Sequence, residues 1–194
     1  MRSCFHCFSS LPVLARADAR YCSTRCRVAA HRLARRELVL PFELTSRARW
    51  IRRTASKIPL QTDGRVASST NPFTWTDYED AASSTAGVGL GFVLNGDGVV
   101  CLDVDHCVTD GVPDVWVRGL LRDVAGTYVE LSPSGTGLHI WGIASLDFGG
   151  RVVSYGPGSV EIYGSGRYLT VTGCALNSSR ELKPLDKTVR KLLS

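Results

Sequence analysis

Long apolar runs are missing from this chain. No stretch approaches the roughly 18–20 consecutive apolar residues that a membrane-spanning helix requires, and the N-terminus opens on cysteines and a histidine instead of an apolar signal segment. The expectation is therefore a cytoplasmic protein with no membrane partner. In a reducing compartment its seven cysteines read as metal ligands or core fillers rather than disulfides. No G-x-x-x-x-G-K-[ST] phosphate loop occurs anywhere, which excludes a built-in helicase motor of that type. GVGLG at residues 87–91 lacks G-x-G-x-x-G spacing, and an Asn-Gly turn follows where a dinucleotide site would need a helix. Its glycines read instead as close packing within a strand. Lysine is absent from residues 1–53, yet that segment holds 12 arginines against Asp18, Glu37 and Glu43, a net charge of +9. The remaining residues carry 11 basic and 15 acidic groups, a net −4 within an overall +5. A basic N-terminal piece on a mildly acidic body points to a polyanion, nucleic acid before others, although an arginine-rich solvated helix would show the same charge. The 194 residues have room for one good core and a small appendage.

What is present begins with cysteine pairs. Cys4 and Cys7 are followed, about fifteen residues on, by Cys22 and Cys26, a spacing that matches one structural zinc ion held by four thiolates. A segment this short cannot bury a core, so the metal would supply its folding energy. His6 or His31 could replace one cysteine. Ser23 reads as the N-cap of an arginine-rich helix that ends at Pro41. RYCSTRCRVAAHR resembles small treble-clef-like zinc knuckles; the competing reading is a disordered, cysteine-containing tail. Residues 1–40 thus form a basic zinc module and 41–49 a linker.

The densest chemistry lies in VVCLDVDHC, residues 99–107. In a strand, side chains alternate faces, so Asp103 and Asp105 would share one face while Val100, Leu102 and Val104 enter the core. Two carboxylates side by side are costly unless a cation sits between them, and a divalent metal is the usual answer. The alternative is two acids at a frayed strand end. His106 and Cys107 either add a ligand or simply close the strand.

Around this stretch, Asp63-Gly64 and Asn71-Pro72 signal turns, and Thr76-Asp77 could cap a short helix, TDYEDAAS. The Asn95-Gly96 turn predicts a hairpin joining GVGLGFVL to VVCLDVD. Residues 112–125 have helical spacing. TYVELSPSGTGLHIWG reads as two strands joined by a serine- and glycine-rich turn, Ser132 and Ser134 within it, whose N–H and hydroxyl groups could cradle phosphate. His139 and Trp141 would share a face of the second strand, where a lone histidine is more often structural than functional. SVEIYGSGRYLTVTG reads as a further strand pair across residues 164–166. It places Glu161 among apolar residues, where an unpaired carboxylate is expensive, or where it pairs with Arg167 across the hairpin. The chain ends in a short basic helix, residues 181–194.

Taken in order, V-C-L-D-V-D-H, then S-P-S-G-T-G-L-H-I-W, then V-E-I-Y-G-S-G-R-Y-L-T-V-T-G resemble the archaeo-eukaryotic primase superfamily, and most of all the primase-polymerase domains of bacteriophages and mobile elements. KIPL and GRVASSTNPFTWTDYEDA upstream also resemble such domains, so the resemblance covers residues 50–174 and leaves the zinc module outside. It implies an α+β fold: an RRM-like antiparallel sheet with helices against it and a small N-terminal αβ subdomain, making residues 50–180 a catalytic domain. It implies that Asp103, Asp105 and Glu161 bind two Mg²⁺ or Mn²⁺ ions. His139, Ser132, Ser134 and Arg167 would then hold a nucleotide triphosphate while a primer 3′-hydroxyl attacks its α-phosphate. The implied partners are single-stranded template and primer–template DNA, dNTPs with NTPs as a further class, and a separate helicase, in a bacterial host's cytoplasm if phage-encoded. With 21 residues after Gly173, too few for a helical bundle, the chain as given is expected to extend primers more readily than it starts them. A different class of function also fits: a zinc-finger nucleic-acid-binding protein whose primase-like body binds nucleotide or metal without turnover.

Overall fold

The computed structural model describes residues 4, 11–12, 14–16, 19–27 and 40–194. The chain divides into two compact units, Met1–Val39 and Leu40–Ser194. In the first, the Ser23 hydroxyl accepts the Cys26 N–H at 3.2 Å and so caps a helical turn over residues 24–27. Cys7, His6 and His31 lie outside the described residues.

The second unit starts earlier than the expected boundary. Helix α1 (Phe42–Thr45) buries Leu44 completely, and the Trp50 indole N–H donates to the Leu44 carbonyl at 3.1 Å. Residues 41–49 thus belong to this unit and are not a linker, anchored by the buried Leu44 side chain and by the indole donor that its carbonyl accepts. Next come β1 (Trp50–Arg53), β2 (Pro59–Leu60), α2 (Tyr78–Ser83), β3 (Gly89–Asn95) and β4 (Val99–Val104). Asp77 caps α2, its carboxylate accepting the Asp80 N–H at 2.8 Å. A small ribbon, β5 (Val108–Thr109) and β6 (Val112–Pro113), leads through a 3₁₀ turn (Val115–Val117) into α3 (Arg118–Asp123). The helical pattern of residues 112–125 is therefore shorter than its spacing suggests. The chain continues as β7 (Val129–Leu131), β8 (Leu138–Ile143), β9 (Gly150–Tyr155), β10 (Gly158–Tyr163), β11 (Ser165–Val171) and α4 (Asp186–Leu193).

Among the described residues the named strands pair only antiparallel, with one isolated parallel bridge from Ile143 to Pro184, and the fold is α+β. The strands form a four-stranded sheet, β11-β3-β1-β2, and a five-stranded sheet, β7-β8-β4-β10-β9. Two expected hairpins do not form. β3 pairs with β1 and β11, while β4 pairs with β8 and β10, so both edges of each strand are already taken. Residues 95–98 therefore carry the chain from one sheet to the other, and residue 164 does the same between β10 and β11. The two crossings lie side by side, with the Gly96 N–H donating to the Gly164 carbonyl at 2.9 Å. Asp97, in the first crossing, is held by Arg49 at 2.9 Å and Arg47 at 3.1 Å. The glycine-rich run of residues 87–91, which leads into β3, packs closely within the strand as expected, since a Cβ on Gly91 would fall 2.5 Å from the Tyr168 ring.

Alternation along β4 builds two cores. Val100, Leu102 and Val104 pack with Val117, Leu120 and Val124 of the helical side and with Val189 of α4. Val99 and Cys101 pack the other way, against Trp50, Phe92, Leu94, Leu169 and Val171 of the four-stranded sheet. Edge-to-face rings thread this second core: Phe92 lies 5.2 Å from Trp50 and 5.9 Å from Trp141 between centroids. The C-terminal helix is thus integral to the body, its lead-in residue Leu185 buried in the first core. Leu185→Ala is expected to lower the unfolding free energy of the body by about 2–5 kcal/mol, the range for a fully buried leucine. Urea denaturation followed by tryptophan fluorescence reads this directly.

Candidate active site

The strand registers place four polar residues in one row across the five-stranded sheet. Glu161 on β10 lies opposite Asp103 on β4, Asp103 opposite His139 on β8, and His139 opposite Glu130 on β7. Directly paired residues share a face, so the row faces the four-stranded sheet, where the interlayer core gives way to a cleft of about 570 Å³. Asp103, Asp105, His139, Glu161 and Arg167 line that cleft, as do Lys57 and Pro133.

Asp103 is the most constrained of the acids. Its Oδ1 is buried and has no hydrogen-bond partner, lying 3.7 Å from His139 Nε2. Burial raises its pKa; His139 opposes that rise, while the Asp105 and Glu161 carboxylates add to it. Such an orphaned carboxylate oxygen beside two more acids suits a divalent cation. The three carboxylates are nevertheless not gathered within 4.8 Å of one another, and Glu161 accepts the Tyr163 hydroxyl. Among the described residues, one set of three metal-binding side chains has its ligand atoms all within 4.8 Å of one another: Cys4, Cys22 and Cys26 of the N-terminal unit. Glu161 forms no ion pair with Arg167 among the described residues. The Arg167 guanidinium instead lies over the Tyr163 ring, 3.8 Å from its centroid.

His139 is held from behind by a residue that sequence reasoning missed. Glu130 is fully buried. One oxygen, Oε1, faces His139 Nδ1 at 3.4 Å and accepts the Trp141 indole N–H at 3.2 Å. The other, Oε2, accepts the Tyr128 hydroxyl at 3.0 Å, the Thr172 N–H and hydroxyl each at 3.1 Å, and the Gly173 N–H at 2.8 Å. An acceptor at Nδ1 sets the proton there and turns Nε2 toward Asp103. Burial works to lower the His139 pKa, but the charge and hydrogen bond of Glu130 and the charge of Asp103 outweigh it, and the net shift is upward.

The turn at residues 132–137 closes one end of the cleft. Ser132 is buried, and its Oγ accepts the Gly137 N–H at 3.1 Å, so this hydroxyl braces the turn from within. Ser134, more exposed, links Ser132 at 3.0 Å to Thr136 at 2.9 Å. A Cβ on Gly137 would fall 2.7 Å from the Val104 carbonyl, so glycine is needed for the turn to lie against the Asp105 backbone. Cys107 is a core residue, its thiol donating to the Val104 carbonyl at 3.2 Å and its pKa pushed by burial to about 12. His106 takes a left-handed backbone, φ 51°, and turns the chain away after Asp105. Lys57, also left-handed at φ 63°, faces the cleft with its carbonyl held by the Tyr168 hydroxyl. Sequence offered one sign of it: Lys57 is the sole lysine before Lys183. The one sign of Glu130 along the chain is its place between Val129 and Leu131 in an apolar run.

No protein-family model matches the sequence. Over 149 residues, 72% of the chain, it is 36% identical to a DNA primase-polymerase of Nitratiruptor phage NrS-1. The chain resembles part of a primase-polymerase. The match spans 21% of that protein's length, about a fifth, and supports a place in the primase-polymerase family. None of the chain's helices among the described residues is long and apolar enough to cross a membrane.

The density of donors on Glu130 has a measurable consequence. Glu130→Ala leaves buried hydroxyl, indole and N–H donors unsatisfied and is expected to cost about 3–5 kcal/mol of stability. Tyr128→Phe, which removes one donor, should cost about 1 kcal/mol. Equilibrium urea unfolding of the two variants gives both numbers.

Proposed function

We propose that the Leu40–Ser194 unit is a DNA-dependent nucleotidyltransferase that joins dNTPs to a primer 3′-hydroxyl, in phage or mobile-element DNA replication, with priming as a second activity. The observation that carries this reading is the in-register pair Glu161 and Asp103, with Asp103 Oδ1 orphaned in a cleft that also holds Asp105. The similarity to a phage primase-polymerase supports it. In this reading the five-stranded sheet with its helices is the RRM-like core. The four-stranded sheet corresponds to the smaller subdomain, completed by β11 from late in the chain.

Asp103, Asp105 and Glu161 would hold two Mg²⁺ or Mn²⁺ ions, which when bound supply charge neutralisation at the attacking and leaving oxygens. The chain's own groups then do the positioning. Arg167 and Lys57 give the cleft two cations for a triphosphate, and arginine's fork suits phosphate oxygens. The exposed Ser134 hydroxyl offers a donor beside them. His139, locked by Glu130, presents Nε2 in a fixed orientation, so no reorganisation is needed when charge develops. Catalysis in this reading rests on orientation and charge more than on proton transfer. The alternative, binding nucleotide or metal without turnover, has no need for all three carboxylates on the cleft wall.

In the N-terminal unit, Cys4, Cys22 and Cys26 suit one structural Zn²⁺, with Cys7 as the fourth ligand expected from the spacing. The arginine-rich segment would add DNA contacts through counterion release.

Full-length protein with Mn²⁺, labelled dNTPs and a primed template should extend the primer. Asp103→Ala and Asp105→Ala should each remove extension while leaving the circular dichroism spectrum in place. More than a few per cent of wild-type extension in either variant would rule out the assignment. Metal analysis of protein purified without chelator should find about one Zn²⁺ per chain; none would rule out the zinc module.

A further inference from the structure

A second concavity lies beside the active cleft and shares Arg167 with it. It measures about 390 Å³ and follows β9, the edge strand of the five-stranded sheet. Its floor is Gly149 and Gly150 with the ring of Tyr163, and its basic groups are Arg151 and Arg167. No acidic side chain is among the lining residues, although Glu161 stands just beyond, bonded to the far end of the same tyrosine.

The two arginines are arranged alike. Arg151 lies over the Phe148 ring at 4.6 Å and Arg167 over Tyr163 at 3.8 Å. Neither guanidinium takes part in an ion pair or hydrogen bond among the described residues. Stacking on a ring holds the guanidinium plane without using its N–H edges, which stay available for phosphate oxygens. The glycines keep the floor low: a Cβ on Gly150 would press into Tyr163 at 2.7 Å, and one on Gly149 would meet the Ser165 hydroxyl at 3.1 Å. A shallow channel with a bare main-chain floor and two flat cations along it fits a sugar–phosphate backbone better than a compact anion. Its continuity with the cleft through Arg167 sets the direction of that backbone.

We propose that the groove along β9 is the phosphodiester path of the nucleic-acid strand that enters the active cleft, with Arg151 as its outer phosphate contact and Arg167 at the junction. This rests on the nucleotidyltransferase reading for what happens in the cleft, but its own observable is binding. DNA held there would reach the three carboxylates over Tyr163, which would separate the basic channel from the acidic site.

The test uses the full chain and fluorescein-labelled primer–template DNA, with affinity measured by anisotropy from 50 to 200 mM NaCl. Arg151→Ala should weaken binding about three- to tenfold and reduce the slope of log K against log salt by about one. Arg151→Lys, which keeps charge but loses the fork, should restore most of the slope. Arg151→Glu should weaken binding further than alanine does. Wild-type affinity and slope in Arg151→Ala would overturn the proposal, whether or not the protein extends primers. A raised KM for dNTP with unchanged DNA affinity would overturn it too, by placing a triphosphate in the groove. Binding that depends on Arg151 in a protein that extends no primer would uphold the groove and remove the polymerase reading.

Discussion

The body of this protein depends on one buried carboxylate. Glu130 comes from β7, yet its donors come from both sheets: Tyr128, His139 and Trp141 from the five-stranded sheet and its lead-in, Thr172 and Gly173 from the segment leaving β11. Taking an ion out of water costs several kcal/mol even after relaxation, and only dense hydrogen bonding offsets it. Here both oxygens are saturated. A group of this kind specifies geometry more than it adds stability: the sheets can close only in the arrangement that brings all the donors to it. His139 inherits that rigidity, since its ring is fixed from the side away from the cleft.

The paired crossings at residues 95–98 and 164 produce the rest. Because β3 and β11 share one sheet while β4 and β10 share the other, the two sheets diverge from a common seam. Near the seam the space between them fills with Phe92, Trp50 and Trp141. Farther along β4 the filling stops, and the next residue on the same face is Asp103. The cleft is thus the continuation of the hydrophobic interlayer past the point where the side chains turn polar. That explains how Asp103 comes to be largely buried without being sealed: it stands in the first polar row beyond a dry core.

Much of the site could be read along the chain. Alternation in β4 put Asp103 opposite in face to Leu102 and Val104, and the same rule put His139 with Trp141; both hold in the structure. The Asn95-Gly96 turn between two apolar runs suggested a hairpin that does not exist. A turn signal reports that the chain reverses, not which strand it will pair with. The Glu161–Arg167 pair likewise presumed a hairpin, and it fails because β10 and β11 separate into different sheets. Glu130 was passed over although the β7–β8 hairpin was recognised, since nothing local distinguishes a buried acid with many donors from one at a strand edge.

By itself the sequence determined what is periodic and local: which residues share a face of a strand, where glycine must stand, which cysteines are spaced for a metal, and that the positive charge lies at one end. Those follow from backbone geometry and from the chemistry of single side chains. The tertiary structure alone decided which strands adjoin, and with that the row Glu161, Asp103, His139, Glu130, the clamp on the histidine and the basic groove along β9. Strand pairing joins residues dozens of positions apart, and its outcome depends on which edges remain open after every other strand has found a partner. No window of sequence contains that competition.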